Sequence, residues 1–406
     1  MGNYVPDPEI DRLVQETNLL AGGDSAAPDP NLGLQPGGLD DVRLRVVDTG
    51  ERLAGLLREM AALGASDLVL IAGSPPVVRV DGRLRRLEQA ALGESAVEDL
   101  FFQHLGERSR LLLRETGAAD FSLNADGGSG DGLRLRVNIQ RQGGRLAAAI
   151  RALPQCIPTL ETLHLPPELS DLVLAGSGLV LLCGPTGSGK STTLAALLDH
   201  LNRTSFRHVI TIEEPVEYRH TNRQSVFEQV EVGSDSPSFS AALRSALRRD
   251  PDVILVGEMR DLETMSTAIT AAETGHLILS TLHTGDAAQA IHRIVDVFPA
   301  EQQRQVSQQL ALSLSAIVCQ QLLPSAKGDR RLPAVEVMVA TYAIRNHIRR
   351  GNLDRLYNEL IGGRGRGMVS MERSLADLVR AGRVSADEAR IRSSRPDELE
   401  RMLGGG

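Results

Sequence analysis

The sequence predicts an α/β fold: a parallel sheet covered by helices and carrying a phosphate-binding loop, preceded by a small α+β domain. Three observations carry this. The stretch GPTGSGKST, residues 184–192, follows the apolar run Leu179, Val180, Leu181, Leu182 and Cys183 and precedes the helical pattern LAALLDHL. Strand, glycine loop and helix start in that order build an anion site at a helix N-terminus. From about 170 onward, strand-like and helix-like stretches alternate, as they do in a parallel sheet with helices on both faces. Between about 50 and 152 an amphipathic helix is followed by short strand pairs and turn residues, the pattern of an antiparallel meander.

Bulk properties narrow the function. A chain of 406 residues has room for two or three domains, each with its own core. The net charge of -8, the absence of tryptophan and an aromatic content of 3% argue against a nucleic-acid partner, which needs a basic surface and stacking platforms. No run approaches the ~18 apolar residues of a membrane span, and the opening MGNYVPDPEIDRL is acidic and lacks a signal-peptide core, so a cytoplasmic protein is expected. Cys156, Cys183 and Cys319 are far apart and odd in number, and are expected as buried thiols outside any disulfide or metal site.

Taken in order, residues 1–47 are rich in proline and glycine and are expected to form a flexible tail. Leu53, Leu56, Leu57, Met60 and Leu63 then repeat at helical spacing. SDLVLIAG and VVRVDGRLRRL read as strands, the second turning at Asp81 and Gly82; a helical stretch covers 97–113; FSLNA, LRLRVNIQRQ and RLAAAIRAL complete the strands. The α+β domain is placed at 48–152, a linker at 153–169 and the α/β domain at 170–406. Within the last, strands are expected at 179–183, 208–212, 253–256 and 277–281, with a helical, arginine-rich stretch from about 334.

In the loop, the backbone N–H groups of Gly184, Pro185 (which has none to give), Thr186, Gly187, Ser188, Gly189, Lys190, Ser191 and Thr192 would surround phosphate oxygens, with Lys190 addressing the outer phosphates and the Ser191 hydroxyl a magnesium ion. Only two of 44 basic residues are lysine, Lys190 and Lys327. The loop keeps lysine because a compact ammonium fits between phosphates where a planar guanidinium does not. ATP and Mg2+ are the expected ligands.

The remaining chemistry sits at expected strand ends, where ligands gather in such sheets. Glu258 follows the strand VILV by one residue and is the candidate for directing the attacking water. Glu213, Glu214 and Glu217 crowd around Pro215, and a magnesium ion would offset their repulsion, with Glu217 the favoured ligand. His276 and His283 flank the strand LILSTL and are candidates for sensing the terminal phosphate, His283 the stronger contact.

Together GPTGSGKST, TIEEPVEY, DPDVILVGEMRD and AAETGHLILSTLHTGDA resemble the Walker A, Asp box, Walker B and His box of the secretion ATPase superfamily of bacterial type II secretion and type IV pilus systems. SDLVLIAGSPPVVRVDG and AIRNHIR resemble the pilus-retraction, twitching-motility branch. The resemblance implies a homohexamer of two-lobed subunits, a PAS-like domain followed by a RecA-like P-loop NTPase domain, hydrolysing ATP between subunits. It implies an inner-membrane platform protein as partner, a possible paralogous pilus ATPase beside it, and a peripheral location at the inner-membrane pilus base. By position it gives functional roles to Lys190, Glu217, Glu258, His276 and His283, and phosphate-facing roles to Arg136 and Arg151. The alternatives it leaves are a pilus-extension or type II secretion ATPase, and an accessory paralogue of low turnover.

Overall fold

The structure is a computed structural model that describes residues 38–80, 82–125, 133–328 and 330–404. The chain divides after Leu53, and residues from Ala54 on form one compact unit. Of the expected tail, residues 1–37 lie outside the described residues, as do Asp81 and the glycine-rich loop 126–132. Helix α1 (Gly38–Ala62) begins upstream of residue 47, where the tail was expected to end. No proline lies between Pro36 and the end of the helix at Ala62, so nothing in the local sequence stops the helix there, and the leucine repeat marks only its second half.

The first sheet collects β1 (Asp67–Ile71), β2 (Val77–Val80), β3 (Arg83–Arg86), β4 (Ala118–Ala125), β5 (Leu133–Gln142) and β6 (Arg145–Ala152) in the order β3-β2-β1-β6-β5-β4, all antiparallel. Period-two alternation buries Leu68, Leu70, Val78, Leu135, Val137, Ile139 and Ile150 on one face, together with Leu56, Leu57 and Met60 of α1. The expected helix 97–113 is two helices, α2 (Ala96–Phe101) and α3 (Glu107–Thr116), because Gly106 takes an extended backbone as the N-cap of α3. The opposite face is polar: Asp67, Arg79, Arg151 and Arg136 lie side by side across the sheet by register.

The second sheet has seven strands in the order β13-β12-β7-β11-β10-β8-β9, parallel except for β13. In chain order it comprises β7 (Gly178–Cys183), α4 (Lys190–Thr204), β8 (His208–Glu213), β9 (Val226–Glu231), α5 (Phe239–Ala246), β10 (Val253–Val256), α6 (Leu262–Glu273), β11 (Leu277–Leu282), α7 (Ala287–Asp296), α8 (Ala300–Ser313), β12 (Leu314–Pro324) and β13 (Arg331–Val339). Leu179, Leu181 and Cys183 of β7 pack into the core on one face, while Val180 and Leu182 pack into the core on the other. A strand buried on both faces reads as a continuous apolar run, which is why β7 was legible.

Helices α9 (Tyr342–Arg350), α10 (Leu356–Gly362), α11 (Met371–Arg380), α12 (Ala386–Arg392) and α13 (Pro396–Gly404) close the chain. The helical stretch expected from 334 therefore starts later, since β13 runs to Val339. The run AVEVMV, buried without a break from Ala334 to Met338, belongs to a strand covered on both faces. One thiol also departs from expectation: Cys183 and Cys319 are buried, but Cys156, in the linker, is exposed.

Candidate active site

The parallel strands β7, β11, β10 and β8 are in register, so their carboxyl ends deliver residues 184–192, His283, Glu258 and Glu213 to one edge. The loop starts where Gly184 N–H donates to Leu282 O at 3.2 Å, tying it to the end of β11. Gly184 has φ 143° and a Cβ there would meet Gln320 O at 2.3 Å, so both backbone angle and space demand glycine. Gln320 of β12 is a clamp that sequence reasoning missed. Its Nε2 donates to Ser188 O at 2.7 Å and its Oε1 accepts from Thr193 Oγ1 at 2.8 Å, joining the loop to the helix that follows. A glutamine pair inside the apolar strand IVCQQLL was the available signal.

Lys190 is buried, and its Nζ donates to the carbonyls of Gly184 at 2.8 Å and Pro185 at 3.2 Å. Burial lowers its pKa, with Cys183, Glu258 and Glu217 pulling the other way. An ammonium held at the rim of a glycine loop, partly stripped of water, is an anion-binding group. Beside the loop, a cavity of about 340 Å³ has a mixed lining, with Leu163, Leu165 and Leu322 facing His164, Gln320 and Arg331 next to the phosphate cradle.

Glu258 stands two residues beyond β10. Its Oε2 lies 2.7 Å from Arg260 Nη2 and its Oε1 lies 3.4 Å from His283 Nε2. Burial pushes its carboxyl up, but the hydrogen bond and charge of Arg260 with the charges of His283 and Lys190 outweigh it, and the pKa falls below the ordinary glutamate value. Arg260 was not singled out by sequence. Gly257 donates to Ile212 O at 2.8 Å and accepts from Thr281 Oγ1 at 2.7 Å, and a Cβ there would stand 3.1 Å from Ile212 O. That tight passage between β8 and β11 explains glycine where an aspartate is usual.

The three acids around Pro215 do not converge as expected. Among the described residues no group of three or more metal-binding side chains is assembled. The chain turns at Pro215 so that Glu214 is exposed, its charge felt by Arg260, while Glu213 Oε2 faces the Glu217 N–H at 3.5 Å. Burial, with the charge of Glu217, pushes the Glu213 carboxyl up to about 7 despite the Glu217 N–H that faces it. Two carboxyls crowded beside a phosphate loop are a donor set that a hard divalent cation relieves, and magnesium needs only one or two carboxylates when phosphates supply the rest.

His276 is not brought to this edge. It precedes β11, so six extended residues, roughly 20 Å, separate it from His283. Its N–H donates to Ala271 O at 3.1 Å, its ring Nδ1 lies 3.1 Å from the same carbonyl, and Gly275 before it has φ 114°. This is the capped end of α6, a structural task. Arg136 and Arg151 are paired within their own sheet, with Asp120 at 3.7 Å and Asp67 at 2.8 Å, and neither is bonded to the phosphate loop of this chain among the described contacts.

A glycine-cradled anion site at the carboxyl edge of a parallel sheet, with an ionised glutamate two strands away, is the arrangement of RecA-like P-loop ATPases, and this chain is one of them. Comparison gives the family. Residues 149–379 match the profile described as "Type II/IV secretion system protein", and the chain belongs to that family. It is 44% identical over 344 residues to "Type IV pilus retractation ATPase PilT" of Pseudomonas aeruginosa, covering 85% of this chain and 98% of that protein. It is 39% identical over 347 residues to "Twitching motility protein" of Neisseria gonorrhoeae, covering 86% and 92%. Among solved structures, "Crystal Structure of the Pilus Retraction Motor PilT and Bound ADP" superposes with a TM-score of 0.79 at 44% identity, covering 86% of this chain and 98% of that one.

Proposed function

We propose that the chain is the ATP-hydrolysing motor of a type IV pilus, driving retraction and with it twitching motility. The observation that carries this is the match to a pilus-retraction motor over 98% of that protein's length, through both lobes, with the ionised Glu258 set beside His283 at the edge where residues 184–192 begin.

In the proposed reaction the N–H groups of residues 186–192 and the Lys190 ammonium hold the phosphates, and the neighbouring cavity takes the nucleoside. Bound magnesium would neutralise charge between the outer phosphates, held by Ser191, Glu217 and Glu213, partly through water, with Glu214 outside the set. Glu258 orients the attacking water, and its lowered pKa keeps it an acceptor at neutral pH. His283, 3.4 Å from that carboxylate, is placed to respond to the terminal phosphate. Charge developing on the phosphoryl oxygens is met by Lys190 and by arginines of a neighbouring subunit, for which Arg136 and Arg151 are candidates on the polar face of the first sheet.

That last role needs a second copy, and a homohexamer with ATP between subunits satisfies it. No helix among the described residues is long and apolar enough to cross a membrane. The partner in this reading is a platform protein of the inner membrane, through which force would pass. The test is imaging of labelled pili in a strain lacking the gene. Pili that extend and fail to withdraw are expected, with recovery on returning the wild-type chain; normal withdrawal without it would refute the retraction role.

A further inference from the structure

We infer that Arg134 and Glu231 form a latch through which the position of the first lobe sets the position of Glu217, making Arg134 a positioning residue for the ATPase reaction. The inference rests on the hydrolytic reading above and adds to it how the two lobes of one chain are coupled at the site.

The loop 213–218 is held by side chains from two directions. From its own lobe, Gln229 Nε2 donates to Tyr218 O at 2.8 Å, and the Tyr218 hydroxyl donates at 3.0 Å to Oγ1 of Thr192, the last residue of the phosphate loop. From the other lobe, Arg134 of β5 donates through Nη2 to Val216 O at 2.6 Å and through Nη1 to Glu217 O at 3.2 Å. Both are carbonyls of the segment that ends in the proposed metal ligand. Glu231, last residue of β9, completes the junction: its Oε2 accepts from Val216 N–H at 3.1 Å, and its Oε1 accepts from Ser122 Oγ of β4 at 2.8 Å. Val216 is thus gripped at its carbonyl by one lobe, and at its amide by a carboxylate that the same lobe also holds.

The chemistry suits transmission better than stability alone. A guanidinium presents its donors in a rigid planar fork, so two adjacent carbonyls accept from it only when the lobe lies in one orientation. The junction borders a polar cavity of about 630 Å³ between the lobes, lined in part by Asp120, Asn124, Arg219 and His220, which leaves room for the lobes to swing against each other. A swing that withdraws β5 releases Val216 and Glu217 together, and the carboxylate of Glu217 moves with its backbone. Rotation of the first lobe and assembly of the magnesium site are then one event.

The test uses the full-length chain, with amide hydrogen exchange of peptides covering 214–220 in the absence of nucleotide, and the magnesium concentration that half-saturates ATP hydrolysis. Arg134→Ala is expected to speed exchange in that loop about tenfold, the scale of a lost charged hydrogen bond, and to raise the half-saturating magnesium by a similar factor. Nucleotide affinity measured in EDTA should stay unchanged, and Arg134→Lys should recover part of the effect. Ser122→Ala, which loosens the loop through Glu231 alone, should show the smaller shift in the same direction. Exchange in 214–220 that is the same in wild type, Arg134→Ala and Ser122→Ala would overturn the latch whether or not the protein turns over. A wild-type chain that binds ATP without hydrolysing it would overturn the ATPase reading and leave exchange to decide the latch.

Discussion

Three buried or half-buried glutamates show how position assigns chemistry to the same side chain. Glu258 is held ionised by Arg260, His283 and Lys190 against the pull of burial. Glu213, beside a second carboxyl, is pushed up to about 7. Glu336, on β13 two strands across from β7, is also pushed up to about 7, first by burial, then by Asp286 and Glu372, with the Ala287 N–H and Arg395 opposing. A carboxyl whose folded pKa lies above its unfolded value binds more protons when folded. Its share of stability is therefore full below the ordinary 4.5 and is lost as pH rises from there through 7. Glu336→Gln keeps an oxygen for the Ala287 N–H, 3.1 Å away, and removes the titration. The stability of the variant relative to wild type should therefore rise between pH 5 and pH 8, by on the order of 3 kcal/mol at most. A difference that does not change with pH, measured by denaturant melts, would mean that Glu336 is not held protonated.

At the scale of elements, the polarity of a strand decides which histidine can work. Both histidines flank the apolar run 277–282, and the sequence alone ranks them only by closeness to a strand end whose direction toward the nucleotide must be assumed. In a parallel sheet every strand presents its carboxyl end to the same edge. His283 therefore arrives beside Glu258, and His276 caps α6 at the opposite edge. His283→Ala is expected to lower ATP turnover by about tenfold to a hundredfold, the range of a lost charged contact in the transition state. His276→Ala should lower thermal stability while leaving turnover per folded molecule within about twofold. Equal loss of turnover in the two would return His276 to the site.

What the sequence made legible follows from the same physics. β7, β8, β10 and β11 are apolar runs ending in polar clusters, and the glycine loop has a spacing few other structures need, so the centre of the sheet and the phosphate site were readable. β9, β12 and β13 were not. β9 carries Glu228, Gln229 and Glu231 at the sheet edge, where a strand need not be apolar, and β13 is the antiparallel partner at the other edge. Of the side chains missed at the site, Gln320 comes from β12 and Arg134 from the other lobe, and their importance is visible only once β12 lies against β7 and β5 against the loop 213–218; Arg260 follows β10, and only the turn of the chain there brings it to Glu258. Nor does local crowding in sequence show which way a loop turns its side chains, so the exposure of Glu214 beside the less exposed Glu213 and Glu217 was not readable.

On the scale of the whole molecule, two sheets divide the labour. The parallel sheet supplies the phosphate loop, the ionised glutamate and the histidine beside it. The antiparallel sheet supplies Arg134 to its own chain and carries, on its polar face, Arg136 and Arg151, which we propose reach a neighbour. A motor needs both assignments, since hydrolysis in one lobe does work only if it changes how the other is held. All of it depends on Glu258 acting on water while the loop binds nucleotide. The most direct measurement is phosphate release by Glu258→Gln beside fluorescent-nucleotide binding by the same preparation. Affinity close to wild type with turnover lowered by on the order of 100-fold or more is the expected result. Turnover equal to wild type would contradict the account.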